Sequence, residues 1–151
     1  MRLCLAMLIV LTCAACTPKS DSELGPDGTV PPPPDVAAPP ADAQRTPSGL
    51  ASRMLRVGFG DVRPSPRSQA LVTYTGWTPD GKMFDSSLRT GGPIVVSLDR
   101  VIPGWTEGLQ LMVPGEKRRF WIPGHLAYDN LDMPDAPKGM LVFDVELLEI
   151  R

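Results

Sequence analysis

The 151-residue chain has room for one domain plus extensions, and its formal net charge of −2 balances 15 Lys and Arg against 17 Asp and Glu. From residue 46 onward the two signs are equal at twelve each, so no basic stripe argues for nucleic acid. The cysteines are Cys4, Cys13 and Cys16; the remainder has no thiol, which excludes a disulfide scaffold or a thiolate metal site there.

Residues 3–11 are almost wholly apolar and follow Met1-Arg2. The run is too short to span a bilayer, which takes roughly 20 apolar residues. It reads as the core of a secretory signal over 1–15, with Ala14 and Ala15 as small residues before a cleavage point. Cys13-Ala14-Ala15-Cys16 resembles a bacterial lipobox, so Cys16 is expected to carry lipid and tie the chain to a membrane of the cell envelope, the periplasmic side of the outer membrane first. The alternative is plain secretion after cleavage near Ala15. Residues 16–47 then form the anchor cysteine and a linker with Pro31-Pro32-Pro33-Pro34 and Pro39-Pro40. Proline fixes φ and lacks an amide donor, so this segment is expected as a semi-rigid stalk or a disordered tail.

The folded part is expected over 48–151. A short strand is predicted over 52–57 and a longer one over 70–78, rich in β-branched and aromatic residues. Pro79-Asp80-Gly81 signals a turn with Gly81 at positive φ, and 82–84 returns as a strand. Residues 94–98 and 116–122 follow, the latter alternating Arg118, Phe120 and Ile122 against Lys117, Arg119 and Trp121. The clearest strand is 140–150, where Leu141, Phe143, Val145 and Leu147 share a face opposite Asp144 and Glu146. One helix is predicted over 104–112, because Trp105, Leu109 and Met112 fall at i, i+4 and i+7 between Pro103 and Pro114-Gly115. One amphipathic helix among antiparallel strands implies an α+β fold, a curved sheet wrapped around the helix.

Chemistry-bearing residues are sparse. His125 is the sole histidine and sits in a loop without a partner motif. Asp129, Asp132 and Asp135 lack the Gly and terminal Glu of a calcium loop and read as a solvated segment. Trp105 and Phe143 read as core by spacing alone, and Asp85 before Ser86-Ser87 as a turn or cap. What stands out is grouping. Val72-Thr73-Tyr74-Thr75-Gly76, Phe84-Asp85-Ser86-Ser87, Val101-Ile102-Pro103-Gly104-Trp105 and Leu141-Val142-Phe143-Asp144-Val145 put aromatic groups, a carboxylate at Asp85 and a phenol at Tyr74 on a short domain. No nucleophile with a base and no phosphate loop accompanies them, so they suit a reaction that breaks no covalent bond, such as rotation about an X-Pro peptide bond.

In their order and spacing these blocks resemble the FKBP-type peptidyl-prolyl cis-trans isomerases over the whole folded part. The resemblance implies a half-barrel of antiparallel strands around a short helix, no cofactor or metal, and Pro-containing polypeptides as partners, with macrolide inhibitors in the same pocket. It implies Tyr74, Phe84 and Phe143 as walls, Asp85 as the pocket carboxylate, Val101 and Ile102 as the rim with the Ile102 amide holding substrate backbone, Trp105 as floor, and Tyr128 as a hydroxyl donor to a substrate carbonyl. Ile94 is expected at the pocket where many members carry an aromatic residue, and Leu126 stands where many carry Tyr. The segment ahead of the domain is too short for the dimerising helices of some exported relatives, so the domain is expected as a monomer. The alternative to an enzyme is a binding module that holds a Pro-containing peptide with little turnover.

Overall fold

The computed structural model describes residues 24–151; the apolar leader and Cys16 lie outside the described residues. Among the described residues, seven strands and one α-helix follow one another, with three short 3-10 turns between them: β1 (Gln44–Arg45), β2 (Ala51–Arg56), β3 (Gln69–Trp77), β4 (Met83–Ser86), β5 (Ile94–Ser97), α1 (Pro103–Leu109), β6 (Lys117–Ile122) and β7 (Leu141–Ile150). All seven strands form one antiparallel sheet in the order β1-β2-β6-β7-β3-β4, with β5 also on β3. The helix packs in its concave side, the expected α+β arrangement.

Period-2 patterning explains which side is which. Leu141, Phe143, Val145 and Leu147 of β7 join Phe120 and Ile122 of β6 and Val72 of β3 in the main core, against Trp105, Leu109 and Met112. The helix begins at Pro103, which loses no hydrogen bond at that position, and ends just after Leu109, shorter than the spacing predicts. Met112 is buried all the same. Gly81 takes φ +86°, as the Pro79-Asp80-Gly81 turn requires. Arg118 faces inward with Phe120, but its charge is met: Glu116, also buried, accepts from its Nε at 2.5 Å.

The Pro-rich segment corrects the expectation of a stalk or tail. Residues 24–47 lie on the outer face of the sheet. Val30 is buried with Trp77 and Met83, and Val36 and Ala43 pack beside Trp121 and Val142. Trp77 Nε1 donates to the Val30 carbonyl and Trp121 Nε1 to the Asp35 carbonyl, both at 2.9 Å. The Asp35 carboxylate meets Arg119 and Arg53. The physical reason is that proline removes a donor but keeps its carbonyl. An arm poor in N–H groups can still bind a face rich in them, and here the sheet supplies indole and guanidinium donors. Near its end the arm pairs as β1 with β2, and Ser48 Oγ donates to Glu107 of α1 at 2.7 Å.

Candidate active site

The site is built around a gap on one edge of β3. Its first half, up to Val72, pairs with β5, and its second half, from Thr75, pairs with β4. Between them the Tyr74 N–H has no strand partner and donates to Ser87 Oγ at 3.0 Å. Ser86 Oγ and Ser87 Oγ both donate to the Tyr74 carbonyl, at 3.1 and 3.4 Å. Both hydroxyls therefore hold Tyr74 where the sheet leaves it free, a role that their sequence pattern as a turn or cap did not show. Two residues on, Gly76 is covered by rings: a Cβ there would stand 2.7 Å from Phe143 and 2.8 Å from Phe84. The glycine of the Tyr74-Thr75-Gly76 block is thus a packing requirement.

Tyr74, Trp105 and Phe143 form an edge-to-face cluster. Ring centroids are 5.0 Å apart for Tyr74–Trp105 and 5.5 Å for Trp105–Phe143, with interplanar angles of 86° and 85°. These rings line a cleft of about 630 Å³, in the size range of small-ligand sites. Ile94 and Val96 of β5 form one apolar wall. Val101 and Ile102, entering α1, form another, and Tyr128 closes the far side. Asp85 reaches in from β4 and accepts from the Tyr74 hydroxyl at 2.6 Å. Its other oxygen accepts from the Ser86 N–H at 2.8 Å, so the carboxylate is aimed from both ends.

Three polar groups stand out. The Trp105 indole N–H is buried with no acceptor among the described residues, so the ring is positioned by packing alone. The Ile102 carbonyl accepts from Trp105 and Thr106, but its own N–H has no acceptor among the described residues, as expected at a helix start. The Tyr128 hydroxyl likewise makes no hydrogen bond within them. Burial, and then the charge of Asp85, raise the Tyr128 phenol above its ordinary pKa. Burial, followed by the Asp85 hydrogen bond and charge, does the same more strongly to Tyr74. Both hydroxyls therefore keep their protons at neutral pH.

Of the residues singled out in the sequence, the structure brings Tyr74, Asp85, Ile94, Val101, Ile102, Trp105, Tyr128 and Phe143 to this cleft. Phe84 is not on its wall. It packs edge-on against Phe143 at 5.4 Å and supports that ring from behind. Leu126 packs against the core beside Tyr128. His125 is exposed and bonds the Ser48 carbonyl at 3.0 Å. The sequence did not indicate Val96, Asp99, Arg100, Leu131 or Met133, which also reach the cleft. Leu131 and Met133 come from the segment that reads as solvated acid loop. Its Asp129 accepts from the Gly139 N–H at 2.7 Å, and Lys138 Nζ donates to the carbonyls of Tyr128 and Leu131 at 2.8 and 3.1 Å. The loop is stapled shut on itself, which carries two apolar side chains to the mouth.

A curved antiparallel sheet around one helix, with a ring-lined apolar cleft, defines an α+β domain with a pocket, and the comparisons name its family. The model of the FKBP-type peptidyl-prolyl cis-trans isomerase domain matches residues 60–148, and the chain belongs to that family. It is 45% identical over 107 residues to the FKBP-type peptidyl-prolyl cis-trans isomerase FkpA of Aeromonas hydrophila, covering 70% of this chain and 40% of the relative. It is 36% identical over 107 residues to the outer membrane protein MIP of Legionella longbeachae, covering 70% and 46%. The crystal structure of FkpA from Escherichia coli superposes with a TM-score of 0.68 at 39% identity, over 74% of this chain and 53% of that one. The chain thus spans about half or less of the length of these curated relatives. The Pro-rich arm lies ahead of the residues that the family model matches.

Proposed function

We propose that the cleft accelerates cis-trans rotation of X-Pro bonds in polypeptides of the cell envelope. The observation that carries this is the pairing of an aromatic floor and wall with two unused donors, the Tyr128 hydroxyl and the Ile102 N–H, in one cleft. The barrier of about 18–20 kcal/mol arises because twisting the peptide bond destroys its resonance. A proline ring seated on Trp105 between Tyr74 and Phe143 takes the amide out of water. The planar, charge-separated form loses its solvation there while the twisted form loses less. Tyr128 donates to the substrate carbonyl and the Ile102 N–H to the neighbouring backbone. Bonds that fit the twisted geometry better than the planar one lower the barrier. Asp85 fixes the Tyr74 ring and supplies a negative charge at the wall. No proton leaves the protein, and the scheme uses no cofactor.

Macrolide inhibitors are expected to compete in the same apolar cleft, and the domain is expected to act as a monomer. Cys16 is proposed to carry lipid and to hold the domain at a membrane on the periplasmic side, which the name of the Legionella relative supports; a soluble periplasmic form is the alternative. The decisive experiment is an isomerisation assay of the full chain on a series of proline tetrapeptides. Acceleration that a macrolide abolishes is the expected result. A rate equal to the uncatalysed one, with peptide still bound, would leave a binding module instead.

A further inference from the structure

Away from the cleft, the connection after β2 keeps apolar side chains in the open. Val57 is 73% exposed, Phe59 78% and Val62 67%, and Met54 and Leu55 at the end of β2 are exposed too. Single exposed apolar residues mean nothing, but three on one connection, continuing two at the end of the strand before it, do. The loop is firmly seated. The Phe59 N–H donates to the Pro114 carbonyl at 2.7 Å, its ring lies over Gly115, and Gly58 backs onto the Pro114 carbonyl with no room for a Cβ. Val57, Phe59 and Val62 line neither cleft, so they stand out from a fixed platform.

Beside that platform lies a second cleft, of about 460 Å³, with Arg45, Arg63 and Arg118 in its walls and no carboxylate among its lining residues. Buried Glu116 neutralises Arg118. Arg63 donates to the Leu111 carbonyl, and Arg45 has no partner among the described residues. Arg118 also donates to Gln44 Oε1 at 3.0 Å, which leaves the Gln44 side-chain N–H groups as donors. Around the cleft, Arg56 pairs with Glu146, and Asp61 is the one acid within the loop. The surface therefore joins protruding apolar groups to a net positive hollow.

We propose that this face docks on an anionic phospholipid surface, with Phe59, Val57 and Val62 entering the interface and Arg45 and Arg63 holding a lipid phosphate in the second cleft. Protruding rather than concave apolar groups suit a fluid interface better than a folded partner. Guanidinium forks match phosphate oxygens in pairs. A second copy of the chain would set one arginine hollow against another, which like charge opposes. The contact is made by side chains of a loop and of a cleft wall, which makes it a peripheral one.

The test uses the full chain, with the same N-terminus in every variant, and vesicles of phosphatidylcholine with or without phosphatidylglycerol. In Phe59→Trp, the added indole emission, after subtraction of the native tryptophans, should shift to the blue with anionic vesicles and much less with neutral ones. Added salt should reverse the shift. Arg45→Gln with Arg63→Gln should weaken partitioning to anionic vesicles about thirtyfold, and Arg45→Gln alone, which touches no internal partner, about fivefold. No blue shift, or an equal shift on neutral vesicles, would overturn the proposal. A vesicle-free shift that grows with protein concentration would point to self-association instead. Inorganic phosphate that saturates Arg45 and Arg63 while vesicles do nothing would reduce the site to one for a free anion.

Discussion

Asp85 and Tyr128 differ in what each would leave behind if removed. Asp85 holds the Tyr74 hydroxyl and the Ser86 N–H, whereas the Tyr128 hydroxyl holds nothing within the described residues. Tyr128→Phe should therefore lower kcat/KM about fivefold, the worth of one net hydrogen bond, with no change in the unfolding midpoint. Asp85→Ala should lower kcat/KM and also cost about 1 kcal/mol of stability, read by urea denaturation. A Tyr128→Phe variant with full activity would remove the hydroxyl from the mechanism. Phe143→Ala touches the site and the core together, since Phe143 is buried between Tyr74, Phe84 and Trp105. Its cost should be about 3–5 kcal/mol, accompanied by loss of activity. Phe84→Leu should act more mildly, through the orientation of Phe143, because Phe84 does not face the cleft.

At the scale of elements, the strands and the helix were legible because alternation and i, i+4 spacing report burial directly. Six predicted strands lie within a few residues of β2 to β7, and Trp105, Leu109 and Met112 share the core. The rings of Tyr74, Trp105 and Phe143 were legible as ordered motifs that meet at the cleft, since they come from those regular elements. Leu131 and Met133 were hidden because acids and prolines surround them, and their approach to the cleft depends on Lys138 and Asp129 closing a loop across ten residues. The arm was hidden for a different reason. Proline content measures missing donors and says nothing of carbonyls, and those are what Trp77 and Trp121 use. A chain that starts at residue 46 should therefore lose stability and show red-shifted, quencher-accessible emission from Trp77 and Trp121, while the rings of the cleft remain packed. Asp35→Ala should cost about 1–3 kcal/mol, because it leaves Arg119 and Arg53 without this acceptor. An unchanged midpoint in both variants would make the arm an ornament on the sheet.

For the whole molecule, the two cleft tyrosines set the pH response. Both phenols ionise less readily folded than in the unfolded chain, where the ordinary value is near 10. Above that pH the unfolded state sheds protons that the native state keeps, so stability falls as pH rises further; below it the contribution is fully present. Unfolding midpoints should thus be insensitive to these groups between about pH 6 and 9 and fall from about pH 10 upward. Tyr74→Phe should flatten that fall, and an identical alkaline slope in the variant would assign the effect elsewhere. Turnover should stay level across pH 6 to 8, because the proposed reaction exchanges no proton with the protein.

The seating of Val30 and Asp35 on the sheet also sets a leash. With lipid on Cys16, as proposed, the sequence alone suggested a spacer from residue 17 to 47, able to reach about 105 Å at full extension. Because the chain is already fixed to the domain at Val30, the span between the anchor and that point is residues 17–29, whose length cannot exceed about 45 Å. The volume that the domain can sweep above the bilayer then shrinks about tenfold, and its local concentration at the surface rises by the same factor. Clients emerging close to the membrane would then meet the cleft far more often than clients a hundred ångströms away, so under that proposal the two indole hydrogen bonds that pin the arm would also bias which polypeptides reach the cleft.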